Sequence, residues 1–252
     1  MNLPPELKSL WISYLPSEEI LSLLKTLPEL SDIFAKYSTL IPLNFGYSYV
    51  EDNDLKYFRG IHTINLEECN DVTDAGLAHL QGVHTINLKE CNNITDAGLA
   101  HLQGVHTINL ECCRKITDAG LAHLLNVHTI NLESCDKITN KGIIYLSGIH
   151  TINLKYCYKL TDECLVHLTG VHTISLFEQV TDNGLEYLSS SLGIYDINLE
   201  RCEKITDTGL RYLKDIHTID LSFCPKITDE GLEHLINVHT LVCHKYDTSD
   251  SD

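Results

Sequence analysis

A 22-residue pattern of apolar and polar positions recurs along most of this chain. One copy extends from Val83 to Gly104 and contains the motif His-Thr-Ile-Asn-Leu near its start. The other copies repeat this motif closely, at intervals of 22 residues with one interval of 23. The motif begins, in successive copies, at His62, His84, His106, His128, His150, His172, Tyr195, His217 and His239. This period, sustained over roughly 180 residues, predicts a stack of similar structural units.

The apolar spacing within each copy changes from that of a strand to that of a helix. We number the positions of a copy from the aliphatic residue before the histidine, so that Val83 occupies position 1. Apolar residues at positions 4 and 6 alternate with polar residues at 3 and 5, which is typical of a half-buried strand. Aliphatic residues follow at positions 12, 17 and 20. Thr95 or Asp96 is suited to cap a short helix there, and Gly104 to end it.

A single copy cannot bury its own apolar residues, so the copies must stack. Stacking predicts an α/β solenoid with parallel strands on the concave face and short helices on the convex face. About nine 22-residue copies cover residues 55–243. Residues 244–252 form an acidic tail that we expect to be disordered, because it has almost no apolar residues to bury.

The motif Leu-x-x-Leu-x-Leu-x-x-Cys-x-x-Ile-Thr-Asp-x-Gly-Leu resembles the cysteine-containing class of leucine-rich repeats. The unit of that class is usually a few residues longer, so a shortened helix or turn is expected here. The resemblance implies a solenoid that binds other proteins. Its cysteines stand at position 9 and are Cys69, Cys91, Cys113, Cys135, Cys157, Cys202 and Cys224.

Cysteines and histidines at fixed repeat positions have a structural and a chemical interpretation. Cysteines at one position face their counterparts in the next copy, and no Cys-x-x-Cys pair occurs, which favours buried free thiols over disulfides or zinc. The histidines at position 2 suit ring packing, with pH sensitivity and metal binding as alternatives. No nucleophile triad or phosphate-binding loop is present. We therefore expect no metal, no cofactor and no enzymatic activity.

The charge balance narrows the possible partners. The chain has 35 Asp and Glu residues against 18 Lys and Arg residues, a formal charge of −17. Nucleic-acid binding requires clustered basic residues, which are absent. There is no apolar run long enough for a membrane helix and no basic start typical of a signal peptide. We expect a cytoplasmic or nuclear protein, or one in the host cytoplasm if its source is viral or bacterial, and a monomer outside any complex.

The later copies depart from the pattern near their strands. The copy that begins at Val171 has lost its cysteine and two residues, and an extra loop follows it at residues 189–191. Aromatic and arginine side chains, which often anchor protein interfaces, stand at the variable positions. Adaptation of terminal copies to cap the stack is the alternative explanation. The predicted substrate-binding residues are Tyr156, Phe177, Tyr195, Asp196, Arg201, Asp220 and Phe223.

Residues 1–45 do not fit the repeat and predict short helices separated by prolines. Their opening resembles an F-box through Leu3, Pro4, Glu6, Leu7, Tyr14, Leu15 and Pro16. The resemblance implies docking on the Skp-type subunit of a cullin–RING (SCF-type) ubiquitin ligase. The docking residues would be Leu3, Pro4, Leu7, Leu15 and Pro16. The chain would then be the adaptor that holds the protein substrate.

A second hypothesis needs no ligase. Every solenoid must cover the apolar side of its first unit, and the N-terminal helices are suited to that role. The chain would then be a leucine-rich-repeat protein-binding scaffold whose N-terminal segment is only a cap.

Overall fold

The computed structural model describes residues 14–31, 34, 36, 41–189 and 193–244, and the findings below concern these residues. The chain divides into two compact units, Met1–Val127 and His128–Asp252. Each unit is α/β, because short parallel strands alternate with short helices as the repeat pattern predicted. No helix in the described ranges is long and apolar enough to cross a membrane.

The first unit contains one longer helix followed by strand–helix repeats. The longer helix is α1 (Ser17–Thr26), and a 3-10 turn at Pro28–Leu30 follows it. The strands pair in parallel in chain order and are β1 (Leu43–Asn44), β2 (Thr63–Asn65), β3 (Thr85–Asn87) and β4 (Thr107–Asn109). The repeat helices are α2 (Asp52–Leu55), α3 (Asp74–Leu77), α4 (Asp96–Leu99) and α5 (Asp118–Leu121). The first three continue as 3-10 turns at Lys56–Phe58, Ala78–Leu80 and Ala100–Leu102.

The second unit has the same organisation. Its strands pair in parallel in chain order and are β5 (Thr129–Asn131), β6 (Thr151–Asn153), β7 (Thr173–Ser175), β8 (Asp196–Asn198), β9 (Thr218–Asp220) and β10 (Thr240–Val242). Its helices are α6 (Asn140–Ile143), α7 (Asp182–Ser189), α8 (Asp207–Leu210) and α9 (Asp229–Leu232). Further 3-10 segments are Ile144–Leu146, Asp162–His167, Arg211–Leu213 and Glu233–Leu235.

The core follows from the register of the strands. Equivalent positions pair, so that Ile86 of β3 faces Ile108 of β4. The aliphatic side chains at positions 4, 6, 12, 17 and 20 are buried in nearly every repeat. Burial of one apolar side chain contributes about 1.5–3 kcal/mol, so the stability of each unit resides in this aliphatic stack.

Most of the repeat helices begin at a threonine, and an aspartate of the preceding repeat typically binds that threonine. The Thr95 hydroxyl caps α4 by accepting a hydrogen bond from the Ala97 N–H at 3.3 Å. The Asp74 carboxylate of the preceding repeat accepts from the Thr95 N–H at 2.8 Å and from the Thr95 hydroxyl at 2.6 Å. Threonine is therefore the cap, whereas aspartate links neighbouring repeats. The interpretation of the aspartate as a cap was wrong, because stacking places it one repeat away from its partner.

The position 9 cysteines are buried hydrogen-bond donors. The Cys91 thiol donates to the Leu66 carbonyl at 3.0 Å, and the Cys113 thiol to the Leu88 carbonyl at 3.0 Å. Burial raises the pKa of Cys69 to about 11 and that of Cys113 to about 12. All ten cysteines are free. These thiols are inert packing groups.

The apolar face of α1 packs at the start of the first unit, where Ile20, Leu21 and Leu24 are buried. The Lys25 ammonium lies 2.6 Å from the Asp54 carboxylate of α2. The Ser17 hydroxyl accepts a hydrogen bond from the Asn44 N–H at 2.8 Å. Helix α1 therefore covers the end of the strand stack.

The repeats begin earlier than the sequence pattern indicated. Strand β1 pairs with β2 and α2 packs beside α3, so a degenerate repeat precedes residue 55. The boundary of residues 55–243 was therefore wrong at its start, because this first repeat lacks the His-Thr-Ile motif. The predicted F-box residues Leu3, Pro4 and Leu7, and the tail from Lys245 onward, lie outside the described residues.

Candidate protein-binding site

The most irregular part of the second unit lies after strand β7. Regular repeats place two residues between position 6 and the cysteine at position 9, whereas Phe177 follows Leu176 directly. The Phe177 carbonyl accepts from the Val180 N–H at 3.1 Å, as a position 9 cysteine does in other repeats. Phe177 is fully buried. Its prediction as a substrate contact was wrong, because the deletion moves it into the place of the missing cysteine.

The deletion removes a main-chain acceptor that the preceding repeat needs. In regular repeats the N–H at position 8 donates to the position 7 carbonyl of the next repeat, as Ser134 donates to Lys155 at 3.0 Å. Tyr156 has no such partner, because positions 7 and 8 are missing from the next repeat. Its N–H donates instead to the Glu178 carboxylate at 3.3 Å. Glu178 therefore replaces a lost carbonyl.

Glu178 retains a second carboxylate oxygen without a donor. This oxygen, Oε2, is buried and accepts no hydrogen bond from any described residue. Burial raises the pKa of Glu178 above its usual value, while hydrogen bonds from main-chain N–H groups oppose that shift. A carboxylate usually accepts several hydrogen bonds, so Glu178 has acceptor capacity to spare.

A salt bridge extends over the space left by the missing residues. The Lys155 ammonium lies 2.7 Å from the Glu200 carboxylate. Both occupy position 7, two repeats apart. The equivalent Lys89 in the first unit contacts carboxylates of adjacent repeats instead, at 3.0 Å and 3.7 Å. Lys155 can reach across one repeat only because that repeat has no side chain at position 7.

Two tyrosines lie near Glu178: the Tyr156 N–H donates to its carboxylate, and its charge acts on Tyr158. The rings of Tyr156 and Tyr158 are 6.3 Å apart and inclined by 52°. Burial raises the pKa of Tyr158, and the negative charges of Glu178 and Asp136 raise it further. Tyr158 is nevertheless mostly exposed. We call the site formed by Lys155, Tyr156, Tyr158, Glu178 and Glu200 the notch.

Three position 8 residues of the second unit combine a large side chain with the left-handed backbone conformation that this position also has in other repeats. The φ angles are 57° at Tyr156, 62° at Arg201 and 60° at Phe223. This conformation costs about 1–2 kcal/mol for a residue other than glycine or asparagine. The Arg201 guanidinium lies 5.6 Å from the centre of the Phe223 ring and 3.7 Å from the Glu200 carboxylate. We call Tyr156, Arg201 and Phe223 the position 8 row.

The other predicted binding residues belong to regular ladders of the fold. The Tyr195 ring stacks between His172 and His217, at centroid distances of 5.0 Å and 4.1 Å. Asp196 takes the position of a ladder threonine, and its Oδ1 is buried without a partner among the described residues. Asp220 accepts from Asn198 at 3.3 Å and from a main-chain N–H at 2.9 Å. The structure does not bring these three residues into the notch.

The histidines at position 2 form stacks within each unit. The rings of His84 and His106 are 4.5 Å apart in the first unit, and those of His128 and His150 are 4.4 Å apart in the second. Each ring also has Nδ1 near the next threonine hydroxyl, as at 3.2 Å in His84. In the described part of the chain, no three His, Cys, Asp or Glu side chains are grouped to hold a metal ion.

Four residues of the notch were not among the predicted contacts: Lys155, Tyr158, Glu178 and Glu200. The two-residue deletion was the signal in the sequence, but its consequence depends on which acceptor the deletion removes. That acceptor becomes apparent only when neighbouring repeats are stacked.

Comparison with known proteins supports the architecture. The leucine rich repeat family profile matches residues 123–147 and 212–235. Internalin C2 from Listeria monocytogenes is 24% identical with a TM-score of 0.55, over 77% of this chain and 84% of the internalin. A second Listeria monocytogenes internalin, InlF, is 16% identical with a TM-score of 0.55, over 86% and 72% of the two chains. This is a leucine-rich-repeat fold.

Two further comparisons add little about function. The yeast Rad7–Elc1 complex matches with 15% identity and a TM-score of 0.41, over 94% of this chain and 81% of the matched chain. That overlap is too loose to bear on the role of these leucine-rich repeats. None of the curated proteins matches the chain significantly.

Proposed function

We propose that this leucine-rich-repeat protein is a substrate-recognition adaptor of a cullin–RING ubiquitin ligase. Its second unit binds a substrate protein, and its N-terminal segment docks on a Skp-type subunit. The adaptor acts by position: it raises the concentration of the substrate near a ubiquitin-loaded enzyme. Such a role belongs in the cytoplasm or nucleus, where the ten free cysteines remain reduced.

The position 8 row is the observation that carries the binding half of the proposal. Tyrosine and arginine are the residues most enriched in interface hot spots, with phenylalanine also common at interfaces. The left-handed conformation at position 8 is shared with the regular repeats, where Glu68, Glu90, Cys112 and Ser134 adopt it. The row differs from those repeats in the size and type of its side chains, and this difference supports a binding role.

The N-terminal half of the proposal rests on the F-box-like motif and on how the residues next to it are used. Pro16 is exposed and Leu15 is partly exposed, so both are accessible to a partner. Ile20, Leu21 and Leu24 are buried within this chain. We therefore assign docking on a Skp-type subunit to the segment that ends at Pro16.

Calorimetric titration of the full chain with a Skp-type subunit tests the docking half. We expect a saturable complex that Leu7→Asp and Leu15→Asp each weaken more than tenfold, a loss of about 1.4 kcal/mol or more. Ser22→Asp is the matched control, because Ser22 is exposed on α1 and lies outside the motif. Absence of binding by the folded chain, or equal binding by all three variants, would leave a scaffold without a ligase link.

That scaffold is the second candidate, and the burial of one face of α1 supports it. A helix that covers the first repeat is sufficient for a solenoid that only binds proteins. The two functions share the position 8 row and differ only in the Skp-type subunit. The same titration therefore separates them.

A further inference from the structure

We propose that the notch binds a basic side chain, arginine or lysine, of the partner protein. The inference rests on the proposed partner-binding role of the second unit and adds the chemistry of what is bound. It rests on three properties of the notch: a Glu178 oxygen without a donor, aromatic side chains beside it, and neighbouring cations that are bound to other groups.

The negative charge is that of Glu178. Its Oε1 accepts from the Tyr156 N–H at 3.3 Å, but its Oε2 accepts from no described residue. A carboxylate oxygen without a donor is unfavourable, and a cationic donor is its best partner. Glu178 as a residue is partly exposed, so a small rotation of its side chain presents this oxygen to a partner. Because the replaced carbonyl was neutral, Glu178 brings a charge that the hydrogen bond alone does not require.

The aromatic faces are those of Tyr156 and Tyr158. Their rings are 6.3 Å apart, and the exposed Tyr158 ring borders solvent. A cation within about 6 Å of a tyrosine ring gains roughly 0.5–2 kcal/mol, more as it is desolvated. The carboxylate of Asp136 adds negative potential at Tyr158. Tyrosine faces beside carboxylates suit a guanidinium or ammonium group.

The neighbouring cations of this chain are already engaged. The Lys155 ammonium is bound to Glu200 at 2.7 Å. The Arg201 guanidinium lies against the Phe223 ring at 5.6 Å. The formal charge of −17 also attracts a basic partner over a longer distance. The charge of Lys155 lowers the pKa of Glu178, but neither Lys155 nor Arg201 donates a hydrogen bond to its Oε2. A cationic donor for that oxygen therefore comes from the partner.

A purely structural role for Glu178 makes a different prediction. Glutamine also has an oxygen that can accept the Tyr156 N–H, so Glu178→Gln preserves the main-chain contact and removes only the charge. If Glu178 serves only to replace the carbonyl, this substitution changes neither fold nor binding. If Glu178 recognises a cation, the fold persists and the preference for basic ligands is lost.

NMR titration of the full chain with the peptide acetyl-Gly-Arg-Gly-amide tests the proposal. At about 20 mM peptide, enough to fill a site of millimolar affinity, we expect saturable amide shifts at Tyr156, Tyr158 and Glu178. The matched peptide acetyl-Gly-Glu-Gly-amide should give none. Glu178→Gln should weaken arginine-peptide binding at least fivefold, and Tyr158→Ala should weaken it as well.

The control variant is Glu186→Gln, which removes the same charge from an exposed position on α7 of the same unit. It should leave arginine-peptide binding unchanged. The proposal is overturned if no localised shifts occur, if both glutamine variants weaken binding equally, or if Glu178→Gln binds as the unchanged chain does. None of these outcomes decides the binding role of the position 8 row, because that role is tested separately with variants of Arg201 and Phe223.

Discussion

Individual polar side chains in this protein form important hydrogen bonds with the neighbouring repeat. The Asp96 carboxylate accepts from the Thr117 N–H at 2.8 Å and from the Thr117 hydroxyl at 2.6 Å. The chain offers a natural variant of this link, in which Asn140 accepts from the Thr161 N–H at 3.0 Å. The carboxylate thus holds two repeats together through a charged acceptor, and the amide does so through a neutral one.

We expect Asp96→Ala to reduce the free energy of unfolding by about 2–3 kcal/mol, because it leaves the Thr117 N–H without its acceptor. Asp96→Asn should lose less, since its amide oxygen can still accept from that N–H as Asn140 does. Urea denaturation of both variants measures the difference. A loss that is equal in the two variants, or absent in the alanine variant, would contradict the linking role.

Close packing between repeats also explains a repeated glycine. A Cβ atom added at Gly98 would meet the Asp74 carboxylate at less than contact distance. We expect Gly98→Ala to destabilise the chain by about 1–3 kcal/mol through this overlap. Cys164→Ala is the comparison, since that position already accommodates a Cβ and should lose only the burial of the thiol. Equal unfolding midpoints for Gly98→Ala and the unchanged chain would refute the steric explanation.

Among the elements, helix α1 differs in kind from the repeat helices. Its residues Ile20, Leu21 and Leu24 are buried where the strand stack would otherwise end, whereas Leu27, directly after the helix, is 41% exposed. It therefore contributes to the stability of the first unit by covering apolar surface. This role is independent of whether the segment before it binds a Skp-type subunit.

Removal of the buried side chain from α1 tests this role. We expect Leu24→Ala to destabilise the chain by about 2–5 kcal/mol, because it leaves a cavity under the helix. Leu27→Ala, directly after the helix, should cost less than about 1 kcal/mol, because that side chain is exposed. Thermal unfolding of the two variants provides the measurement, and similar costs would show that α1 does not act as a cap.

The sequence predicted the elements well wherever the repeat was regular, because the apolar period alone determines which side chains face the core. It failed at β1, where the degenerate repeat lacks the motif that marks the others. It also failed at Phe177, where a two-residue deletion changed the repeat position of an aromatic residue. The role of Glu178 could not be predicted, because it depends on a main-chain N–H in another repeat. The deletion left that N–H without its usual acceptor.

At the scale of the whole molecule, the stacked histidines make stability depend on pH. The pKa values of His84 and His150 are below the usual value of 6.5, first because of burial and then because of the neighbouring imidazoles. The unfolded chain binds these protons more readily than the folded chain. Stability is therefore fully present above pH 6.5 and is lost as pH falls through and below that value.

Urea midpoints at pH 8.0 and 5.5 measure this dependence, above most of the range in which carboxylates titrate. We expect a lower midpoint at pH 5.5 and a smaller difference between the two pH values in His84→Gln, which has one imidazole fewer to protonate. A midpoint that does not fall, or a difference that His84→Gln leaves unchanged, would show that the stack tolerates protonation.

The central claim is that the irregular repeats of the second unit, and not the regular repeats of the first, hold the partner. The most direct measurement is a selection of displayed peptides on the full chain, followed by affinity measurements on position 8 variants. We predict that the selected peptides lose at least tenfold in affinity with Arg201→Ala or Phe223→Ala. They should be unaffected by Glu68→Ala and Glu90→Ala, at the same repeat position in the first unit. Peptides that respond only to the first-unit variants, or to none of the four, would contradict the claim.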